Sequence, residues 1–595
     1  MLSAACGDAL GWPIESRGHR VGGTASLQPR FSFIEWVRRE GGGYAPFQRR
    51  VPAGAYSDDT QLMLAVARSL GRGDAWLEHL TKFELPAWTL YELGGGGAVK
   101  RAARGWAKGI APWEAKKDTD RQRYFAAGAN GVAMRVLPHA IFGAGDASFD
   151  QVRERIVADG FTTHGHPRAL VGALAAGYAM WTALRWKGKV HYGELIEDCL
   201  GERQTWSRLP ERAFAPGWKD KAEEVLRTPY EELWTLTSEE MAGLLTRCQE
   251  AIGRGSLARD SDVLEDLGAF GKENGAGTRT AAVAIYLASR YVAKPTAGIL
   301  AAAFARRADT DTIACMTGAM LGAFSGDDRV DGLALDLQDS GYVHRLAGEV
   351  ARHEVGSAPS VNWSPKMKNR IFAELAGLPP GGKVSLPLFG MGIVRDVERP
   401  ETKSANEVTI WWLSTELGQS LAITRIKRAA PRAEVPPSRR DTAAASGKLV
   451  EQLTMEATPR SEAGPAQSTW SILFVRNLAE ALSFYNGILG VSVIRSRDRS
   501  AVLEGHIVLE ESSQRVAPEG RGMKAPQVVG VFVGPDSLLP LHKRLAEAGY
   551  GPSEVDLGRN GERFRLRDQD GHLVEIFTSL PAYDTDSDDR DPPRR

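Results

Sequence analysis

Apolar residues recur every three to four positions over 60–70 (TQLMLAVARSL), 168–184 (RALVGALAAGYAMWTAL) and 278–292 (TRTAAVAIYLASRYV). That is the helical period, and residues 1–345 are expected to be mainly α-helical. The helices are rich in Ala and Gly, which lets neighbouring backbones approach closely and suits a compact, multi-layer bundle. Polar stretches at 41–55, 115–130 and 200–235 read as loops long enough to shape a site. An apolar, small-residue helix begins almost at Met1 (MLSAACGDALG), so its first turn is expected to be missing. The pattern changes after 346. KVSLPLFGMGIVRDV, EVTIWWLS and SLAITRIKR within 383–427 are β-branched and aromatic with turn residues between them, so 346–428 reads as a connector plus a small antiparallel β-module. Residues 429–467 are dominated by Pro, Ala, Ser and charge and are expected to be a disordered linker. From 468 to 582 strand and helix signals alternate as a β-α-β pattern that occurs twice, and an acidic tail, 583–595, is expected to be disordered.

Composition narrows the class. The 595 residues imply two to four domains. Seventy-four basic residues balance 74 acidic ones, so no global field attracts nucleic acid or acidic membranes, although a local basic patch is not excluded. The four cysteines, Cys6, Cys199, Cys248 and Cys315, are scattered without a CxxC pair. That excludes a cysteine zinc site and a disulfide framework and fits a reducing, cytoplasmic location. There is no apolar run of 18 residues and no basic stretch followed by an apolar core, so neither a membrane span nor a secretory signal is expected.

Two acidic clusters carry the candidate chemistry: Ser57-Asp58-Asp59-Thr60 and Asp309-Thr310-Asp311-Thr312, each just before a helix, with Glu15 after Gly7-Asp8-Ala9-Leu10-Gly11. The plain reading is helix capping, with Asp58 and Gln61 as a capping box. The chemical reading starts from charge density. Adjacent carboxylates repel, and one protonates unless a cation offsets it. If the clusters converge, an all-oxygen donor set selects Mg²⁺ or Mn²⁺, and two ions could grip vicinal hydroxyls of a sugar together with a water.

The strings GDALGWPIE (7–15), SDDTQLML (57–64), GANGVAMRVLP (128–138), TTHGHPRALVGA (162–173) and ADTDTIACMTGAMLGA (308–323) resemble, in order, the ADP-ribosylglycohydrolase family. The resemblance implies an all-α orthogonal bundle with two Mg²⁺ (or Mn²⁺) ions. It makes Ser57, Asp58, Asp59, Asp309, Asp311 and Thr312 metal ligands, and Glu15, Asp59 and Asp311 the catalytic acids, with Glu15 as general base. Gly128, Asn130, Gly131 and Met134 match the loop that wraps the diphosphate and distal ribose, and His164 matches a position near the site, with His166 a weaker candidate. Tyr124 or Phe125 could stack on adenine, although an aromatic beside a turn is usually core. Relatives usually carry two glycines before DTDT, whereas Arg306-Arg307-Ala308 stand here. The implied activity is hydrolysis of the bond joining ADP-ribose to a modified protein or nucleic acid. The alternatives are an ADP-ribose-binding protein of the same fold, or a resistance or ligand-binding protein acting through its C-terminal domain.

RNLAEALSFYNGILGVSV (476–493) with RDQDGHLVEIF (567–577) resembles the glyoxalase/bleomycin-resistance group, the vicinal-oxygen-chelate fold, an α+β domain of repeated βαβββ units. Trp470 and Val528 stand where metal-dependent members carry histidines, while Glu510 and Glu575 remain. Two carboxylates without imidazoles make a poor site of that kind. The domain is therefore expected to bind a small ligand or to mediate protein contact or dimerisation.

Overall fold

The computed structural model describes residues 1–15, 29–41, 46–326, 330–354, 363–402 and 406–428. In the C-terminal part it describes 471–475, 477–488, 493–497, 500–503, 507–511, 528–532, 535–553, 555–558, 561–567 and 573–577. The expected linker 429–467, the tail 583–595 and Trp470 lie outside these residues. The chain divides into two units, Met1–Arg440 and Asp441–Arg595. No helix among the described residues is long and apolar enough to cross a membrane.

The first unit is a helical body. The helix α1 (Leu2–Glu15) packs against the helix Thr310–Ser325, and the helices Pro167–Arg185 and Gly277–Arg290 pack against each other and against Thr310–Ser325. Small residues set these contacts. A Cβ at Gly7 would lie 2.1 Å from the Ala314 carbonyl oxygen, one at Gly11 2.3 Å from that of Thr310, and one at Gly318 2.3 Å from that of Ser3. The two helices thus touch backbone to backbone along their length, a distance no side chain permits. The Ala- and Gly-rich pattern has this geometric consequence: polar groups on α1 and at the start of Thr310–Ser325 are drawn together.

The four strands expected as a separate small module are instead a layer of this unit. Strands β3 (Lys383–Leu386), β4 (Gly390–Glu398), β5 (Asn406–Thr415) and β6 (Leu421–Arg428) form an antiparallel meander. Val384, Leu386, Phe389, Val394, Trp411, Leu413, Leu421 and Ile423 belong to the same core as the helices. Polar anchors fix the layer. Arg68, on α2 (Asp58–Leu70), makes a paired contact with Glu84 (2.8 and 2.7 Å) and also donates to Gln419 Oε1 (2.7 Å). Asp339 accepts from Tyr56 (2.7 Å), from the Ser420 N–H (2.7 Å) and from the Ser420 hydroxyl (2.6 Å). The module looked independent because its alternating strands bury one face, and the pattern does not say against what. The connector is also more ordered than expected, since the helices Ser340–Ala351 and Pro365–Leu375 occupy it.

The polar stretches expected as loops hold further elements. β2 (Phe47–Val51) lies in the first and pairs antiparallel with β1 (Trp36–Glu40) just before it, and helices Asp118–Phe125, Arg203–Ser207 and Trp218–Leu226 lie in the other two. Charged residues on these short elements hid their apolar faces.

In the second unit the doubled pattern is borne out. Strands β7 (Ser471–Val475), β8 (Val493–Arg497), β9 (Ser500–Leu503) and β10 (Ile507–Glu511) order as β7-β10-β9-β8, with β7 and β10 parallel. Strands β11 (Val528–Phe532), β12 (Asp556–Gly558), β13 (Gly561–Arg567) and β14 (Leu573–Phe577) repeat that order as β11-β14-β13-β12, with β11 and β14 parallel. Each repeat places a helix after its first strand, starting at Leu478 and Pro535. Glu510 lies on β10, Glu575 on β14, and Val528 opens β11.

Gly11→Ala and Gly318→Ala are expected to lower stability by about 1–3 kcal/mol or more through overpacking. Gly243→Ala, with nothing near its added Cβ and a helical position, should be neutral or gain about 0.5–1 kcal/mol. Denaturant midpoints of the three variants check this.

Candidate active site

Helix α2 begins at a serine, not at an aspartate. The Ser57 side chain accepts the Asp59 N–H at 3.2 Å, so Ser57 is the N-cap, and the expected Asp58/Gln61 capping box does not form. Gln61 instead accepts from Trp88 (2.9 Å) and from the Leu93 N–H (3.2 Å). The reason lies one helix away. Asp8 of α1, fully buried, accepts the Ser57 N–H (3.1 Å), the Thr60 N–H (3.0 Å) and the Thr60 hydroxyl (2.6 Å). A carboxylate from another helix thus satisfies the first turn of α2, which frees Asp58 and Asp59 from capping.

The acids then converge. One carboxylate oxygen from each of Asp8, Asp59 and Asp311 lies within 4.8 Å of the other two, and one from each of Glu15, Asp309 and Asp311 does the same. Asp311 belongs to both groups, so the two clusters are contiguous. Asp309 and Asp311 flank the start of Thr310–Ser325. Asp309 is the N-cap residue, yet its side chain makes no capping bond. The capping reading, reasonable from sequence, fails for Asp58 and Asp309 and holds only for Ser57.

Electrostatics follow from burial. Desolvation pushes the Asp59 and Asp311 carboxyls well above the usual carboxylate range. The charges of Asp8, Asp58 and Asp309 add to this at Asp59, and those of Glu15, Asp59, Asp309 and Asp8 at Asp311. Asp8 is also raised by burial, against the opposing pull of its hydrogen bonds from Thr60 and Ser57. Asp58 is pushed up to about 8, by burial first and then by Glu92, Asp8 and Glu15, with Arg38 opposing. The Thr312 hydroxyl bonds Asp59, and Ser57 Oγ donates to Asp59 Oδ2 at 3.1 Å. Asp59 Oδ1 is buried with no hydrogen-bond partner. A buried carboxylate oxygen without a hydrogen-bond partner, among raised neighbours, is a group that a cation would satisfy. The donors are all oxygen, and the nearby Cys315 thiol is held protonated by burial. The set fits hard divalent ions.

Of the residues expected as ligands, Asp59, Asp309 and Asp311 lie in the clusters, and Ser57 and Thr312 hydrogen-bond to Asp59 or stand beside it. Asp58 belongs to neither cluster. Its Oδ1 lies instead over Gly94, beside Arg38. Asp8 was missed as a site residue. A signal existed: Asp8 and Glu15 are seven positions apart, two helical turns, and so share one face of α1.

The 128–134 loop abuts the acids. Asn130 Nδ2 donates to Asp309 Oδ2 (2.9 Å) and to Thr280 Oγ1 (3.1 Å). The loop backbone pairs with Gly275 and Gly277 through Asn130 N–H to Gly275 O (2.9 Å) and Gly277 N–H to Gly128 O (3.0 Å). The Asn274–Gly277 segment that receives it was not singled out in the sequence. A Cβ at Gly131 would lie 2.9 Å from His164 Cε1, so a larger residue there would require His164 to shift. His164 is buried beneath it, 2.8 Å from Thr163 Oγ1, and burial lowers it to about 3, so it is neutral. Arg135 ties the layers by donating to Gly131 O (2.7 Å), Thr163 Oγ1 (2.9 Å) and the buried Asp159 (2.8 Å). Met134 is a core residue, its side chain buried. His166 caps the helix Pro167–Arg185 by accepting the Arg168 N–H. Tyr124 and Phe125 are likewise core, packed with Trp218, and Trp218 Nε1 donates to the Tyr124 hydroxyl (2.8 Å). Arg307 adopts φ +74°, the left-handed region that explains a glycine preference there, and lies 5.0 Å from the Phe270 ring.

The model of the ADP-ribosylglycohydrolase family matches residues 1–359, and that of the glyoxalase/bleomycin resistance protein/dioxygenase superfamily matches 467–576. A solved structure described as an ADP-ribosylglycohydrolase-related protein complex is 19% identical, covering 59% of this chain and 95% of its own, at TM-score 0.37. A glyoxalase/bleomycin resistance protein/dioxygenase from Alicyclobacillus acidocaldarius is 22% identical, covering 19% and 92%, at TM-score 0.17. TioX from Micromonospora sp. ML1 is 17% identical, covering 19% and 100%, at TM-score 0.17. No curated protein matches. With more than half of its length matched by one family model, the chain belongs to the ADP-ribosylglycohydrolase family and carries a glyoxalase-type domain behind it.

Proposed function

We propose that the first unit hydrolyses the glycosidic bond between the proximal ribose of ADP-ribose and a modified protein or nucleic acid. The observation that supports this most is the pair of contiguous acid clusters sharing Asp311, one of which holds a buried Asp59 oxygen without a hydrogen-bond partner. Asp59, Asp309 and Asp311, with Asp8, Glu15 and the Ser57 and Thr312 hydroxyls around them, would hold two Mg²⁺ or Mn²⁺ ions. When bound, such ions supply positive charge that orients the sugar hydroxyls and lowers the pKa of water.

The chain's own groups do the rest. The Gly128–Gly131 loop offers N–H groups to the diphosphate, and Asn130, bonded to Asp309, keeps that loop in register with the acids. Glu15, at the open C-terminal end of α1, takes a proton from the attacking water as its oxygen adds to the anomeric carbon. The bond from that carbon to the acceptor's oxygen or nitrogen breaks, and the acceptor leaves with the proton that Glu15 took from the water. The transition state is oxocarbenium-like, so nearby carboxylates stabilise its developing charge.

The second unit is proposed as a ligand-binding or protein-contact module. A binding protein without turnover needs the loop but not two clusters of acids, so the clusters favour hydrolysis.

Asp59→Asn and Asp311→Asn are each expected to cut Mg²⁺- or Mn²⁺-dependent ADP-ribose release at least about 100-fold, on the order of 3 kcal/mol, with far-UV circular dichroism unchanged. Chelator should do the same to the parent protein. Retained activity in either variant would refute the assignment.

Metal-free stability should depend on pH in a stated direction. Carboxyls raised in the folded state bind protons that the unfolded chain releases, so their contribution is present below about 4 and lost as pH rises toward about 8. Melting temperature of the chelated protein is expected to fall between pH 5 and 8.5. Mg²⁺ or Mn²⁺ should restore it, and by more at pH 8.5 than at pH 5. A flat profile, or a cation effect larger at pH 5, counts against a shared acid centre.

A further inference from the structure

The chain is neutral as a whole, yet its basic residues are not evenly spread. A cavity of about 390 Å³ lies among the helix Gly97–Trp106, the segment 108–117 and the helix Asp118–Phe125. Its buried and half-buried lining is largely apolar and includes Ala102, Ile110, Ala111 and Pro112. Arg101, Arg104, Lys108, Lys116 and Lys117 also line it, and all of these are exposed, so they form its solvent-facing side. Among the described residues none of the five makes an ion pair. The acids on the same segments have other partners: Asp118 pairs with Arg121, Asp120 with Arg123 (3.8 Å) and Glu114 with Lys221. Cations that face one concavity repel one another, and an anion seated among them removes that repulsion.

The cavity is separate from the acid centre. Among the described residues that line it are no acid of the two clusters and no residue of the 128–131 loop. It does adjoin that loop. Thr163 lines the cavity and bonds His164 (2.8 Å), and Ala98 lines it one position before Val99. His164 and Val99 are the two residues that a Cβ on Gly131 would meet.

Three features define the occupant. The cations come from two segments and converge on one concavity, so it carries more than one negative charge. The apolar lining favours a body that covers it, which inorganic phosphate lacks. The volume lies in the range of sites for small organic ligands, and one compact concavity differs from the basic stripe that follows a nucleic-acid backbone. We propose that this cavity is a second binding site, for a nucleotide-sized organic phosphate, with Arg101, Arg104, Lys108, Lys116 and Lys117 as its anion-binding side chains.

The test is calorimetric titration of the full chain with guanosine 5′-diphosphate in the presence of chelator. A guanosine nucleotide is used because the hydrolase reading already gives ADP a place at the acid centre. Saturable binding is expected. Arg104→Gln combined with Lys108→Gln should weaken it at least about 10-fold. Ala115→Leu, which fills the cavity and keeps every charge, should do the same. Circular dichroism and melting temperature check that both variants fold. Guanosine lacks the charge and inorganic pyrophosphate lacks the apolar body, so each should bind at least about 10-fold more weakly than the nucleotide. No saturable binding, or binding that either variant leaves unchanged, would overturn the site. Pyrophosphate binding as tightly as the nucleotide, or a single-stranded oligonucleotide binding more tightly, would overturn the occupant. The titration involves no turnover, so failure of this site and failure of the hydrolase reading are told apart.

Discussion

Everything at the acid centre depends on how closely α1 and the helix Thr310–Ser325 cross. Asp8 on one helix and Asp311 on the other can share a cluster only because Gly7, Gly11 and Gly318 let the two backbones touch. Helices with ordinary side chains cross 8–10 Å apart, and a wider crossing would admit water and separate the acids. The crossing also sets the electrostatic problem. It buries carboxyls whose desolvation and mutual repulsion raise their pKa values, and the favourable packing of the helices offsets that cost. A cation of matching hardness would relieve the strain locally, so the same geometry that destabilises the empty cluster favours occupancy.

Asp8 shows how one residue serves both structure and chemistry. It closes the first turn of α2 with three hydrogen bonds, and it contributes an oxygen to the cluster with Asp59 and Asp311. Because it supplies what an N-cap aspartate on α2 would have supplied, Asp58 and Asp59 keep their oxygens for other partners. The order of dependence runs from α1 to α2 and then to the site.

Much of this was legible in the sequence, and for physical reasons. Helical periodicity located Pro167–Arg185 and Gly277–Arg290 to within two residues at either end, because long apolar faces over-determine a helix. The doubled β-α-β pattern in the second unit followed from local strand and turn chemistry. The convergence of residues 57–60 with 309–312, some 250 positions apart, was not in the periodicity, and only family resemblance supplied it. Three things stayed hidden. Asp8 looked like one polar position on a small-residue helix. The strand Phe47–Val51, inside the stretch read as a polar loop, carries a buried Arg49 between its apolar positions and so did not stand out as a strand. The docking of the four-stranded sheet could not be read at all, because its alternation marks a buried face but names no partner. The aromatic pair Tyr124 and Phe125 shows the converse, where the ordinary reading of an aromatic near a turn as core was the correct one.

The sheet is where fold and function meet in this chain. Gln419 and Ser420 anchor it to Arg68 and Asp339, and those residues lie on the far end of α2 and beside the core helix Ser340–Ala351. From there β5 and β6 press on the hairpin, and the hairpin presses Trp36 on Trp12, three residues before Glu15. A segment with no acid in the clusters therefore bears on both the end of α1 and the position of Arg38. Rigid packing transmits this support because interiors deform little. The wall of the acid centre is in this sense built from both ends of the first unit, and the β-strands act as part of the helical domain's scaffold.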